Sequence, residues 1–219
     1  MDYKFKFLFY ICAYLLQLKA ISQTTYNIDS ELDSNEKVLT ISQTISFKNT
    51  STSKLDKIYL NDWANSYEGT ESQLVNHLAN QFNRSFYFSA KNKLGYTEIE
   101  NINNENKSLR WSRLKNQLDI VEVKLIEAIN PGDIIDISIR YKVKLPDDKF
   151  TGYGINSNNK IFFRDFFISV SPFKKGNWIL QSNLGLRDNS NPPSNYFINW
   201  KYPKTVSYTH LTLPTNDLV

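Results

Sequence analysis

From Thr25 onward, apolar and polar residues alternate along the chain. In YNIDSEL, Tyr26, Ile28 and Leu32 share one parity, while Asn27, Asp29, Glu31 and Asp33 share the other. That two-residue period is the pattern of a strand with one face buried. DSNEK predicts a turn, and VLTISQTISF sets Leu39, Ile41, Ile45 and Phe47 against Thr40, Ser42, Thr44 and Ser46, a second half-buried strand. The polar run KNTSTSK follows, then LDKIYLNDW with Ile58 and Leu60 in phase. Two strands joined by a short polar turn predict an antiparallel pair.

One stretch has a different period. In ESQLVNHLANQF, Leu74, Val75, Leu78, Ala79 and Phe82 recur at three- and four-residue steps behind Ser72, a residue suited to an N-cap. This predicts a short amphipathic helix. Strand patterns resume in RSFYFS, YTEIENI, SLRWSRL and LDIVEVKL, where Val121, Val123 and Leu125 alternate. NPGD predicts a tight turn, with Pro131 presetting φ and Gly132 free to take a positive one. The longest clean alternation comes next: Ile135, Ile137, Ile139, Tyr141, Val143 and Leu145. LPDDKFTGYGINSNNK predicts a loop, IFFRDFFISV a densely apolar strand, and NWILQS and YFINWKYP the closing strands. With about ten strands, one short helix and no βαβ rhythm, the expected fold is mainly β, an antiparallel sandwich or saddle of sheets.

The N-terminus changes the picture of where the protein resides. Lys4 and Lys6 precede residues 7–18, an uncharged apolar run of 12 residues, and Ala20-Ile21-Ser22 offers small residues before a cut ahead of Gln23. This is the layout of a signal peptide over residues 1–22, and the expectation is an exported, periplasmic, cell-surface or secreted protein. A run of that length falls short of the ~18–20 residues that span a bilayer. The only cysteine, Cys12, lies inside this run, so the mature chain would have no disulfide and would depend on its core. A net charge of +4 without a basic run gives no footprint for nucleic acid. An aromatic content of 14% with only 7 glycines fits large side chains packed between sheets.

Candidate chemistry is sparse. The chain has 2 histidines, His77 and His210, and no H-E-x-x-H, G-x-S-x-G or phosphate-cradling loop. No catalytic, metal or cofactor-binding residue is therefore assigned, and His77 is expected on the solvated side of the helix. The adjacent carboxylates Asp147 and Asp148, between Lys144 and Lys149, are expected to be turn residues with no positioning partner for acid–base work. Trp63, Trp111, Tyr153 and Trp178 could stack on sugar rings, but core packing is the expectation. Asn49, Asn83 and Asn106 begin N-x-S/T triplets, the acceptor pattern for N-glycosylation.

The assembled blocks IYLNDWANSY and YKVKLPDDKFTGYG resemble the N-terminal β domain of M1 aminopeptidase-like zinc metallopeptidases, in the form found in secreted proteins of Bacteroidetes. KVLTI, ISFKNTS, RSFYF, GYTEIENI, LRW and NWILQSNLGL follow the same pattern more loosely, and the resemblance covers residues 25–203. It implies that residues 23–204 form a non-catalytic domain. Its partner would be a catalytic domain of the same polypeptide, which holds the zinc and cleaves the peptide substrate. No position here matches the zinc motif, so no cofactor is expected in this chain and the fragment alone would be inactive.

The last residues complete that expectation. VSYTHLTLPT, residues 206–215, resembles the translation of a transposase adapter used in sequencing-library preparation, which makes residues 205–219 an expected artefactual tail. His210 then drops out as a candidate ligand. The alternative from a different functional class is a free-standing secreted β-sandwich binding module for glycans or surfaces, which would need its tryptophans presented to solvent in a flat row.

Overall fold

The protein is described by a computed structural model over residues 24–186 and 191–202. The signal segment with Cys12 and the tail with His210 lie outside the described residues.

Fourteen strands are present among the described residues. The first two, β1 (Thr24–Asp33) and β2 (Val38–Lys48), form an antiparallel pair with Tyr26 opposite Ile45 and Leu32 opposite Leu39. Burial alternates along both as their sequences dictate, with Tyr26, Ile28, Leu32, Leu39, Ile41 and Ile45 inside. β2 also pairs with β8 (Ile134–Lys144), and β8 with β4 (Tyr96–Asn104). With β5 (Lys107–Ser108) and β14 (Asn195–Lys201) at the edges, these complete a six-stranded sheet in the order β14-β1-β2-β8-β4-β5.

The second sheet has four strands: β3 (Leu55–Asn61), β6 (Arg110–Leu114), β7 (Gln117–Ile129) and β11 (Ser169–Val170), in the order β11-β3-β7-β6. Inward residues of the two sheets, such as Ile41, Ile45, Ile137 and Tyr141 on one and Ile58, Leu60, Val121 and Val123 on the other, form one hydrophobic core. Two small hairpins stand outside the sheets: β9 (Gly154–Ile155) with β10 (Ile161–Phe162), and β12 (Phe173–Lys174) with β13 (Asn177–Trp178).

Helix α1 (Gln73–Asn80) lies where the period predicts it, with Leu74, Val75 and Leu78 buried and the Ser72 hydroxyl accepting from Val75 N–H. The mainly β class and the single α-helix among the described residues match the sequence expectation.

Four local expectations are corrected. β2 and β3 are not a hairpin, because KNTSTSK carries the chain from one sheet to the other. Asn49, fully buried, fastens that crossing to the parallel crossing between β7 and β8. Its Nδ2 donates to Ser53 O (2.8 Å) and Ile129 O (3.2 Å), while its backbone donates to Asp133 O and accepts from Gly132. RSFYFS forms turns rather than a strand, since Phe86 alone of its aromatics points inward. IFFRDFFISV breaks into β10 and β11, because its rings fill space on several sides rather than alternating across one sheet. β14 runs parallel to β1, the one parallel strand pair among the described residues, whose other ladders are antiparallel.

Candidate functional site

Among the described residues, both buried carboxylates gather around the short 3-10 turn Trp63–Tyr67 that follows β3. Asp62 and Asp119 fall on the inward parity of β3 and β7, in step with Ile58, Leu60, Val121 and Val123. Both are buried as a result. A buried carboxylate needs partners. Asp62 Oδ2 accepts from Arg113 Nη2 at 2.7 Å and Oδ1 from Thr97 Oγ1 at 2.8 Å. Arg113 also donates to Leu118 O and Thr97 O. Asn65 joins the same strands, accepting from Thr97 N–H and donating to Leu118 O.

Asp119 faces a strap formed by residues 180–185. Its Oδ2 accepts from Asn183 N–H at 2.7 Å. Asn183 Nδ2 donates to Trp63 O and Ser66 Oγ, Trp63 Nε1 donates to Gln181 O at 2.8 Å, and Gln117 Nε2 reaches Leu180 O. Desolvation pushes the Asp119 carboxyl up to about 6, against the opposing bond from Asn183 N–H, and the neighbouring Asp62 charge adds to the rise. Burial likewise raises Asp62, while Arg113 pulls it down. A carboxyl near neutrality has the acidity of a general acid or base. The Asp119 oxygen is instead committed to the strap, so the network acts as a fastening.

On the far side of the turn, Tyr67 binds the loop after β8. Its hydroxyl lies 2.5 Å from Thr151 Oγ1 and its ring 5.3 Å from that of Tyr153. Phe86 stacks on Phe150 at 4.0 Å. Gly154 adopts φ 117°, and a Cβ there would lie 2.1 Å from Pro146 O, so the loop closes only around a glycine.

The residues singled out in the sequence are dispersed. His77 bonds only Gln81, at 3.0 Å, and the described residues contain no group of three or more His, Cys, Asp or Glu arranged around a metal ion. Asp147 caps the 3-10 turn Asp148–Phe150 and pairs with Lys93 at 3.2 Å. Desolvation would raise its carboxyl, but Lys149 N–H and Lys93 outweigh that and hold it below the usual range. Trp63 and Tyr153 are buried, and Trp178 packs among Phe47, Tyr59 and Phe173. Trp111 is 36% exposed. These rings form no flat exposed row, which removes the main support for a glycan module. Asn49 is buried with its amide engaged and is no glycan acceptor, whereas Asn83 and Asn106 are exposed.

Sequence reading missed Asp62, Arg113, Asp119 and Asn183. Its available signal was a polar residue standing in the apolar phase of a strand, as Asp62 and Asp119 both do.

Fold and network together define a mainly β protein whose described polar clusters build structure. Neither a family model nor a curated protein sequence matches the chain. Among solved structures, the M1 zinc metallopeptidase from Deinococcus radiodurans is similar with a TM-score of 0.35 and 13% identity, over 57% of this chain and 21% of that one. Native yeast LTA4 hydrolase is similar with a TM-score of 0.32 and 11% identity, over 55% of this chain and 14% of that one. The chain thus spans a minor part of either enzyme's length.

Proposed function

We propose that this chain is a non-catalytic β domain of an exported zinc metallopeptidase of the M1 aminopeptidase-like kind. In this reading it packs against a catalytic domain of the same polypeptide and helps wall the peptide cleft. The observation that carries the reading is where the two most family-like blocks meet. IYLNDWANSY supplies Asp62, Trp63, Asn65 and Tyr67; YKVKLPDDKFTGYG supplies Pro146, Phe150, Thr151, Tyr153 and Gly154. The blocks lie far apart in sequence, yet Tyr67 bonds Thr151 and packs on Tyr153. The two blocks therefore build one tertiary junction, which supports a scaffold role. Zinc, its ligands and the peptide-cleaving chemistry are assigned to the catalytic domain and none to this chain.

The test is to read the gene from codon 205 onward. An in-frame H-E-x-x-H with a downstream Glu, and an extended protein that binds zinc and releases N-terminal residues from peptides, is the expected result. A stop codon directly after Lys204, or a following domain without zinc ligands, overturns the reading. Codons 205–216 differing from the adapter would return the tail to the native protein. Export is checked separately by finding a mature N-terminus at Gln23 outside the cytoplasm.

A further inference from the structure

Helix α1 ends in a way that works against the domain's own stability. Phe82 N–H donates to Ala79 O and Asn83 N–H to Leu78 O, both at 2.9 Å, the paired bonds that wrap a helix C-terminus. The residue at the reversal takes a left-handed conformation, which glycine adopts without strain and a bulky residue does not. Here it is Phe82, with φ 61°. Its ring is 91% exposed, so no packing offsets the strain. Further along the same loop, Phe88 is 84% and Tyr87 50% exposed.

The loop that presents these rings is firmly built. Phe86 turns inward between them and stacks on Phe150. Ser85 N–H donates to Asn83 Oδ1, Ser89 Oγ to Ser85 O at 2.6 Å, and Tyr87 N–H to Arg84 O. Its charge is one-sided: residues 72–97 contain no Asp or Glu. Arg84 and Lys91 are exposed and form no salt bridge among the described residues, while Lys93 is held by Asp147.

We propose that residues 81–93 dock the protein on a lipid bilayer surface bearing anionic headgroups. Phe82 and Phe88 enter the acyl boundary, Tyr87 rests at headgroup level, and Arg84 and Lys91 meet the phosphates. Rings exposed to this degree stand clear of the surface on nearly every side. A protein partner would have to supply a matching pocket for each, whereas a bilayer accepts them without complementary shape. Aromatic rings favour the membrane interface, and flanking cations gain from an anionic leaflet. Apolar insertion and a basic contact together supply the two signals that stable peripheral binding requires. The inference is independent of the peptidase reading.

The test is cosedimentation of the full chain with vesicles of phosphatidylcholine alone and of phosphatidylcholine mixed with phosphatidylglycerol. Expected is binding to the mixed vesicles that falls at least tenfold in F82G/F88S, as loss of inserted apolar surface requires. Binding should also weaken in R84Q/K91Q and in high salt, with circular dichroism unchanged in both variants. No binding to mixed vesicles, equal binding to phosphatidylcholine alone, or binding indifferent to F82G/F88S overturns the proposal. So does self-association without vesicle binding that F82G/F88S abolishes, since the rings would then serve a protein contact.

Discussion

The Tyr141 hydroxyl lies 2.5 Å from Gln43 Oε1 and donates to it, joining neighbouring strands β8 and β2 inside the core. The same hydroxyl accepts from Ile168 N–H at 3.1 Å, and Gln43 Nε2 donates to Ile168 O at 2.6 Å. Tyr26 does the same one step along, accepting from Val170 N–H at 3.0 Å. The free edge of short strand β11 is thus closed by side chains of the opposite sheet. Two residues of regular pairing would not hold it.

Tyr141→Phe leaves Gln43 Oε1 and Ile168 N–H buried without that partner. A loss of about 2 kcal/mol is expected, the usual penalty for stranding buried polar groups. The urea midpoint should fall with the slope unchanged, and an unaltered midpoint would show the closure to be energetically idle.

Arg113→Met removes the cation from Asp62. At neutral pH the expected loss is about 3–5 kcal/mol, as for breaking one side of a buried pair. Adding Asp62→Asn should recover much of it, because no charge then remains to be solvated. Urea denaturation of the single and double variants measures the recovery.

Asp119→Asn tests the strap. The folded carboxyl sits near 6, above its ordinary 3.8, so the folded state holds the proton more tightly than the unfolded one. This contribution is fully present below pH ~4 and is lost as pH rises through ~6, by about 3 kcal/mol. The stability difference between wild type and variant should follow that course, with the variant gaining relative to wild type on going to neutral pH. A difference independent of pH between 4 and 7 would show that Asp119 is not the titrating group.

Gly154→Ala and Gly132→Ala separate strain from collision. Both glycines have positive φ, but a Cβ at Gly132 meets open space and one at Gly154 meets Pro146 O. Gly132→Ala should cost about 1 kcal/mol and leave a folded protein. Gly154→Ala should cost well beyond that or prevent folding, read from soluble yield and the thermal midpoint.

Phe82→Gly is expected to stabilise the protein by about 1 kcal/mol by relieving the left-handed residue at the end of α1. Thermal denaturation decides it. A fall in midpoint would mean that the exposed ring supports the fold after all.

The sequence by itself determined which residues face inward along β1, β2, β3, β7 and β8, and where the helix starts. A period of two or 3.6 is a local property that one buried face imposes on every residue of an element. Gln43, Asp62 and Asp119 also stand as polar residues in an apolar phase, a signal the sequence reading passed over, and that phase does not say what would satisfy them. Only the tertiary structure decided that. Their partners, Ile168, Arg113 and Asn183, come from distant segments, and pairing depends on which elements the fold brings together. The same holds for KNTSTSK, where turn chemistry permits either a hairpin or a crossing, and Asn49 bonded to Ile129 selects the crossing. It holds for Phe82, whose place on the apolar stripe ended where the helix did. Local pattern assigns a side chain to a face; the rest of the chain decides whether anything stands opposite it.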